Sequence, residues 1–509
     1  MARAAKPKTQ PKSMPRNGVA AASAEPTLTA RIGILGSGFS GLGMAIRLRQ
    51  EGIEDFVVLE KAADVGGTWR ENTYPGAACD VPSHLYCYSF EPKSDWSRVF
   101  APQAEILDYI RHCADKYGIR PKIRFHTEVA SAHFDERARH WVVKSRAGEI
   151  FHFQMVIAGK GALHVPAKPH FPGDERFRGP VFHSAEWDHS VDLAGKRVAV
   201  IGSGASAIQV VPAIVDRVAH LDYYQRTPSW VLPRGDRAYT DREKRLFRTV
   251  PALRWLHRQQ IYWSLEPRVL GFTVAPRLMS LAENLGRRHI GKYVKDRALR
   301  KQLTPRYTMG CKRTLLSDDY YPALVRPNVD VITDGIAEVR KHSIVTSDGT
   351  ERATDAIVLC TGFKVSELLS GLDVKGVGGR DLETDWREGA RTHLGITVSG
   401  YPNLFFLMGP NTGLGHNSMI YMIESQIHYV LEAIHAMDAR HATTVDPLPE
   451  VQDRFTDAVH ERLARSVWAS GCQSWYLDEQ GRNSTTWPGF TFEYRARTRR
   501  FDAGAYRVA

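Results

Sequence analysis

Two glycine-rich turns carry the most legible chemistry in this chain. The first, Gly36-Ser37-Gly38-Phe39-Ser40-Gly41, follows an apolar run from Arg31 to Leu35 and precedes a helical pattern through Met44, Ile46 and Leu48. A second apolar run, Phe56 to Leu59, ends at Glu60. Strand, G-x-G-x-x-G turn, helix, strand and acid in that order make a dinucleotide-binding unit. Gly36 permits the tight turn, Gly38 lets the backbone approach a pyrophosphate, and Gly41 lets the helix pack closely on its strand. The helix N-terminus offers unpaired N–H groups to the phosphates. Glu60 suits a free ribose hydroxyl and repels a 2′-phosphate.

The pattern recurs. Val198 to Ile201 reads as a strand, Gly202-Ser203-Gly204-Ala205-Ser206-Ala207 as the turn, and Ile208 to Val215 as the start of a helix. After the next strand, Leu221 to Tyr224, stand Gln225, Arg226 and Thr227. Glu60 lies 24 residues after Gly36, and Arg226 lies 24 residues after Gly202. One site is finished by an acid and the other by a guanidinium, which grips a 2′-phosphate bidentately. The first unit therefore predicts FAD, held by Gly36, Gly38, Phe39, Ser40, Gly41 and Glu60. The second predicts NADP(H), held by Gly202, Gly204, Ser206, Ala207, Arg226 and Thr227.

The chain around these turns has 509 residues, room for two or three domains. It holds no apolar run of about 18 residues, so no spanning helix is expected. The six cysteines form no C-x-x-C pair and no metal-ligand spacing, and read as reduced thiols in a cytoplasmic protein. Residues 1–29, rich in Ala, Pro and basic side chains, read as a disordered tail. Net charge is +12, of which residues 236–303 carry sixteen basic and six acidic side chains. We read this excess as a solvated face that draws in anionic cofactors, with docking on an anionic membrane surface as the alternative. No nucleic-acid module accompanies it. Residues 235–303 read as a helical insert, with Leu246, Val250 and Leu253, and Leu278, Leu281 and Leu285, as stripes facing a core.

Strand-like runs return at Val329 to Ile332, Ala356 to Leu359 and Leu404 to Leu407. A helix with Ile420, Ile423, Ile427 and Val430 on one face follows. Its N-terminus would sit against the flavin pyrimidine. The expected fold is α/β, with two Rossmann-like dinucleotide-binding domains and the helical insert. Residues 30–165 and 366–509 form the FAD domain, and 166–234 with 304–365 the NADP domain.

Three further stretches resemble one family, the Baeyer–Villiger monooxygenases (class B flavoprotein monooxygenases). The first is Phe177-x-Gly179-x-x-x-His183-Ser184-x-x-Trp187-Asp188, with Ser184 where threonine is usual. The second is Gly67-x-Trp69 followed by Tyr74-Pro75-Gly76 and Asp80, and the third Gly310-Cys311-Lys312-Arg313. The resemblance covers roughly residues 30–500. It implies that Arg313 is the catalytic arginine and Asp80 its partner near the flavin. Lys312 would join Arg226 and Thr227 on the NADP 2′-phosphate, and Trp475 would lie near the nicotinamide ribose. Gly67, Thr68, Trp69, Tyr86 and the backbone at Val129 would contact FAD.

The implied reaction takes hydride from NADPH, activates O2 as a C4a-peroxyflavin and inserts one oxygen atom beside a ketone carbonyl to give an ester or lactone. Arginine suits a site that must hold an anion without donating its own proton. His183 reads as a linker histidine, not an acid–base catalyst. Cys360 stands where the family often has alanine, and the loop Gly413 to Ser418 also departs from the pattern and bears on substrate range. The rival readings are an N- or S-oxidising flavin monooxygenase and a non-catalytic redox-sensing flavoprotein. A sensor would have no use for the Lys312–Arg313 pair.

Overall fold

The structure, a computed structural model, describes residues 28–161, 163–364, 371–472, 474–478 and 480–509. Most of the expected basic tail lies outside these residues, as does the expected boundary at 365 and 366. Residues 28 and 29, assigned from sequence to the tail, instead open the first strand, pairing with Phe151 and His152.

Strand β1 (Leu28–Leu35) runs into helix α1 (Phe39–Gln50) and back through β2 (Phe56–Leu59). Helix α2 (Gln103–Lys116) and β3 (Ile123–Arg124) extend the layer. A meander of β4 (Val129–Asp135), β5 (His140–Ser145) and β6 (Ile150–Ala158) follows. β1 is parallel to both β2 and β6, while β5 is antiparallel to β4 and β6. β1 reads as a near-continuous apolar run because helices or strands cover both its faces. Ile32 and Ile34 are fully buried in one cluster, with α1, and Leu35 in another on the opposite side.

The second sheet begins with β7 (Val181–His183) and β8 (Arg197–Ile201), followed by helix α3 (Ala205–Ile214) and β9 (His220–Tyr224). The insert then contributes α4 (Asp241–Thr249), α5 (Pro251–Leu265) and α6 (Met279–Tyr293). β10 (Val329–Ile332) and β11 (Ala356–Leu359) complete the sheet. Its order is β10-β9-β8-β11-β7, all parallel. Helix α3 starts at Ala205, three residues before the sequence-based start, because Gly204 already supplies the extended cap residue.

The chain then returns to the first sheet. β12 (Asp373–Lys375) pairs with β4, and β13 (Leu404–Phe406) pairs with the far end of β6. Helix α7 (Met419–Arg440) buries Ile420, Ile423, Ile427 and Val430 against α1, the face its periodicity announced. The fold is thus α/β with two Rossmann-like sheets.

Two expectations fail here. Leu246, Val250 and Leu253 do not face a core; they are 39%, 38% and 41% exposed, and Leu278, Leu281 and Leu285 are more so. The buried faces of α5 and α6 are instead Ile261, Tyr262 and Leu265, and Met279 and Ile290. Spacing shows that a helix has an apolar face, not that something covers it. The cysteines are also not all thiols. Cys311 and Cys472, 161 residues apart, form a disulfide, and the remaining four are free and buried.

Candidate active site

The carboxyl ends of both sheets open on one cavity of about 1490 Å³, touched by Leu35, Leu59, Ile201, Tyr224 and Cys360. That exceeds the roughly 300–1,000 Å³ of an ordinary ligand pocket. Open α/β sheets place ligands at this end of their strands. Nineteen of the twenty-one residues singled out from sequence line the cavity. The exceptions, Gly41 and Ala207, lie behind it: a Cβ on Gly41 would come 1.9 Å from the Gly36 carbonyl oxygen, and Ala207 is fully buried. Gly41 therefore sets how closely α1 sits on its strand.

On the first cradle, Glu60 is almost wholly buried. Its Oε2 accepts from Ser37 N at 2.8 Å and Ser37 Oγ at 2.7 Å, and its Oε1 from Ala62 N at 3.0 Å. The turn thus fixes the carboxylate before any ligand arrives, and Arg70 Nη1 stands 3.4 Å from its Oε1. Trp69 donates from Nε1 to Tyr86 Oη at 3.1 Å, and Phe39 meets the Tyr86 ring edge-on at 5.3 Å. Gly67, Thr68 and Val129 complete this wall.

The second cradle differs in charge. Arg226 is exposed, and Lys312 is half-buried with its ammonium 5.1 Å above the Tyr307 ring. Burial, and then the Arg226 charge, hold the Lys312 pKa below that of an ordinary lysine. Neither cation has a carboxylate partner among the described ion pairs. Two uncompensated like charges side by side suit a doubly charged anion. A Cβ on Gly204 would meet nothing within 4 Å, so the turn leaves open the space a pyrophosphate needs. Thr227 fixes the turn by accepting from Ser203 Oγ at 2.7 Å through its carbonyl. Ser206 lines the same wall. The residues present therefore fit FAD in the first cradle and NADP(H) in the second.

Between the cradles stand Arg313 and Asp80. Arg313 donates from Nε at 2.9 Å and from Nη2 at 2.6 Å, both to Asp80 Oδ2. The carboxylate raises the guanidinium pKa still further, so the charge is permanent. The segment leading into Asp80 is itself held from the neighbouring layer. Arg234 Nη2 donates to the Cys79 carbonyl at 2.7 Å, Gln209 of α3 exchanges hydrogen bonds with Ala78, and Tyr74 Oη donates to Gln209 at 2.9 Å.

The disulfide joins Cys311, two residues before Arg313, to the loop that presents Trp475 to the cavity. Tyr476 is buried with its hydroxyl on Arg313. Sequence reading missed Tyr476, Arg234 and Gln209; adjacency of Tyr476 to Trp475 was the sole available signal.

One stretch of the wall is apolar, formed by Met408, Leu414, Met419, Ile420 and Ile423. The loop Gly413 to Ser418 borders it, fixed by the buried carboxylate of Glu266, which accepts from Asn417 Nδ2 and from Thr491 N and Oγ1. His416 in that loop is pushed down to about 3 by burial, and is neutral. His183 is buried at the end of β7, its Nδ1 accepting from Ala185 N at 3.1 Å, outside the cavity wall.

A flavin-binding monooxygenase-like family model matches residues 29–369. The chain belongs to that family. It is 51% identical over 494 residues to a Baeyer-Villiger monooxygenase of Pseudomonas aeruginosa, covering 96% of this chain and 94% of the relative. Among solved structures it resembles an oxidised steroid monooxygenase bound to NADP, with a TM-score of 0.86, 31% identity and coverage of 94% and 99%. OTEMO in complex with FAD and NADP gives a TM-score of 0.85 at 27% identity, covering 95% of this chain and all of that one.

Proposed function

We propose that this chain is an FAD- and NADPH-dependent Baeyer–Villiger monooxygenase, inserting one atom of O2 beside a ketone carbonyl to yield an ester or lactone. The observation that carries this reading is a permanent guanidinium, Arg313, fixed by Asp80 on a wall shared by an acid-finished and a cation-finished dinucleotide cradle. Bound FAD, once reduced by NADPH, supplies the activation of O2.

The protein's own groups do the rest. Glu60 and the Gly36–Gly41 turn hold one dinucleotide, and Arg226, Thr227 and Lys312 grip the 2′-phosphate of the other. With FAD bound, Arg313 would hold the negative charge that develops on oxygen beside Met408, Leu414 and Ile420. A fixed donor of this kind is worth on the order of 10²–10³ in rate. Asp80 orients the guanidinium, and Tyr476 and Trp475 close the site over it.

We assign residues 28–165 and 366–509 to the FAD domain, its expected start at residue 30 moved to the first residue of β1, and 166–234 with 304–365 to the NADP domain. No helix among the described residues is long and apolar enough to cross a membrane. We place the reaction in the cytoplasm, where NADPH is at hand. The test is product analysis of the purified enzyme with NADPH, O2 and a panel of linear, cyclic, aryl and steroid ketones. Esters or lactones support the reading. Oxidation of sulfides or amines with no ketone turnover would replace it by the N- or S-oxidising alternative.

A further inference from the structure

The described residues leave sixteen large apolar side chains exposed, and eleven of them lie between Leu246 and Leu285. A twelfth, Phe492, packs its ring 6.1 Å from that of Trp263. The exposure is deep: Trp255 is 60% exposed, Trp263 56% and Leu281 69%. It is also patterned. Leu256 and Trp263, two helical turns apart on α5, share the face opposite buried Ile261 and Leu265. Leu278, Leu281 and Leu285 form a second stripe along α6 and the turn before it. Both helices are therefore apolar on two sides, one packed on the protein and one open to solvent. Apolar exposure concentrated on one insert in this way marks an interaction surface.

The charge around it selects the partner. Arg242, Lys244, Arg245 and Arg248 on α4, with Arg254 on α5 and Arg277 before α6, form no ion pair among the described residues. Residues 236–303 carry ten more positive than negative charges. A symmetric contact between two copies would press this surface against itself, cation to cation. Exposed tryptophan and leucine rimmed by lysine and arginine is instead the composition of helices that lie in a membrane interface. We infer that the helical insert docks the enzyme on the surface of an anionic lipid bilayer, with Trp255, Trp263 and Leu281 entering the headgroup boundary.

The inner side of the same insert reaches the candidate site. Phe272 and Met279 pack where Gly310, two residues before Lys312, would otherwise carry a Cβ, and Phe272 also borders Gly415 of the apolar loop. A docked enzyme would thus meet lipophilic compounds dissolved in the bilayer close to its pocket. The docking does not depend on the ketone reading and is tested without turnover.

The experiment is flotation of the full-length, FAD-loaded protein with vesicles of phosphatidylcholine alone or mixed with phosphatidylglycerol. The wild type is expected to float with the anionic vesicles at low salt, to release at about 0.5 M salt, and to float weakly with phosphatidylcholine alone. Its tryptophan emission should shift to the blue on binding. Trp255→Gln/Trp263→Gln/Leu281→Gln should weaken binding on the order of tenfold or more, as should Arg245→Glu/Arg248→Glu. Both variants keep the wild-type flavin spectrum and turnover in buffer. Absence of wild-type flotation overturns the inference. So does equal flotation of the apolar variant, which would place binding on the basic N-terminal tail. Concentration-dependent dimerisation lost in that variant, without vesicle binding, would assign the face to a second copy.

Discussion

Arg313 reaches across 233 positions of sequence to place Nε and Nη2 on a single oxygen of Asp80, Oδ2, at 2.9 and 2.6 Å. Pairing through one oxygen fixes the plane of the guanidinium and leaves Nη1 outside the pair. Both side chains are roughly a third exposed to the cavity, so the pair serves orientation more than stability. Asp80→Ala should therefore fold with normal flavin content but lose on the order of 10²-fold in ester formation. Stopped-flow reduction by NADPH beside steady-state product yield separates the two effects. An unchanged yield would show that Arg313 needs no carboxylate to position it.

Arg226 and Lys312 share one anion. Arg226→Ala should raise KM for NADPH on the order of 10–100-fold, the worth of one charge-assisted hydrogen bond, and leave KM for NADH nearly unchanged. Steady-state kinetics with both nucleotides checks this; equal losses would remove the 2′-phosphate from this pair.

Lys312 also makes NADPH affinity depend on pH. Burial and the Arg226 charge lower its pKa in the free enzyme, so the ammonium is lost at a pH below that of an ordinary lysine. The bound 2′-phosphate favours the charged form, so binding is strongest below the free-state pKa and weakens as pH rises through it. KM for NADPH should climb on the alkaline side, by up to about tenfold, and Lys312→Arg should flatten that climb. A wild-type profile as flat as that of Lys312→Arg would contradict the assignment.

The Cys311–Cys472 bridge ties the Arg313 segment to the loop carrying Trp475 and Tyr476. Cys472→Ser, or reduction, should leave FAD content unchanged and raise KM for NADPH about two- to tenfold, because the loop must then be ordered on binding. Peptide mapping without reductant should recover the linked pair. Two free thiols at these positions would exclude the bridge.

How much of this was legible in sequence follows from how local each signal is. The two cradles were readable because turn, flanking strands and terminal residue fall within one short βαβ unit, down to the matched offsets of Glu60 and Arg226. Arg313 and Asp80 entered only through family resemblance, since no local pattern links two loop residues 233 positions apart. Tyr476, Arg234 and the Gln209–Ala78 contact went unread for the same reason, and so did the Cys311–Cys472 pair. The insert misled for a different reason. Its periodicity correctly announced helices, but α5 and α6 are apolar on both sides, and spacing alone does not tell the packed side from the open one.

The guanidinium at Arg313 is tested most directly by Arg313→Ala incubated with NADPH, O2 and a ketone that the wild type converts. The variant should still bleach its flavin with NADPH and consume O2, yet release hydrogen peroxide and form ester at a rate at least about 10²–10³-fold below wild type. Ester at the wild-type yield, with no excess peroxide, would contradict a catalytic charge at this position.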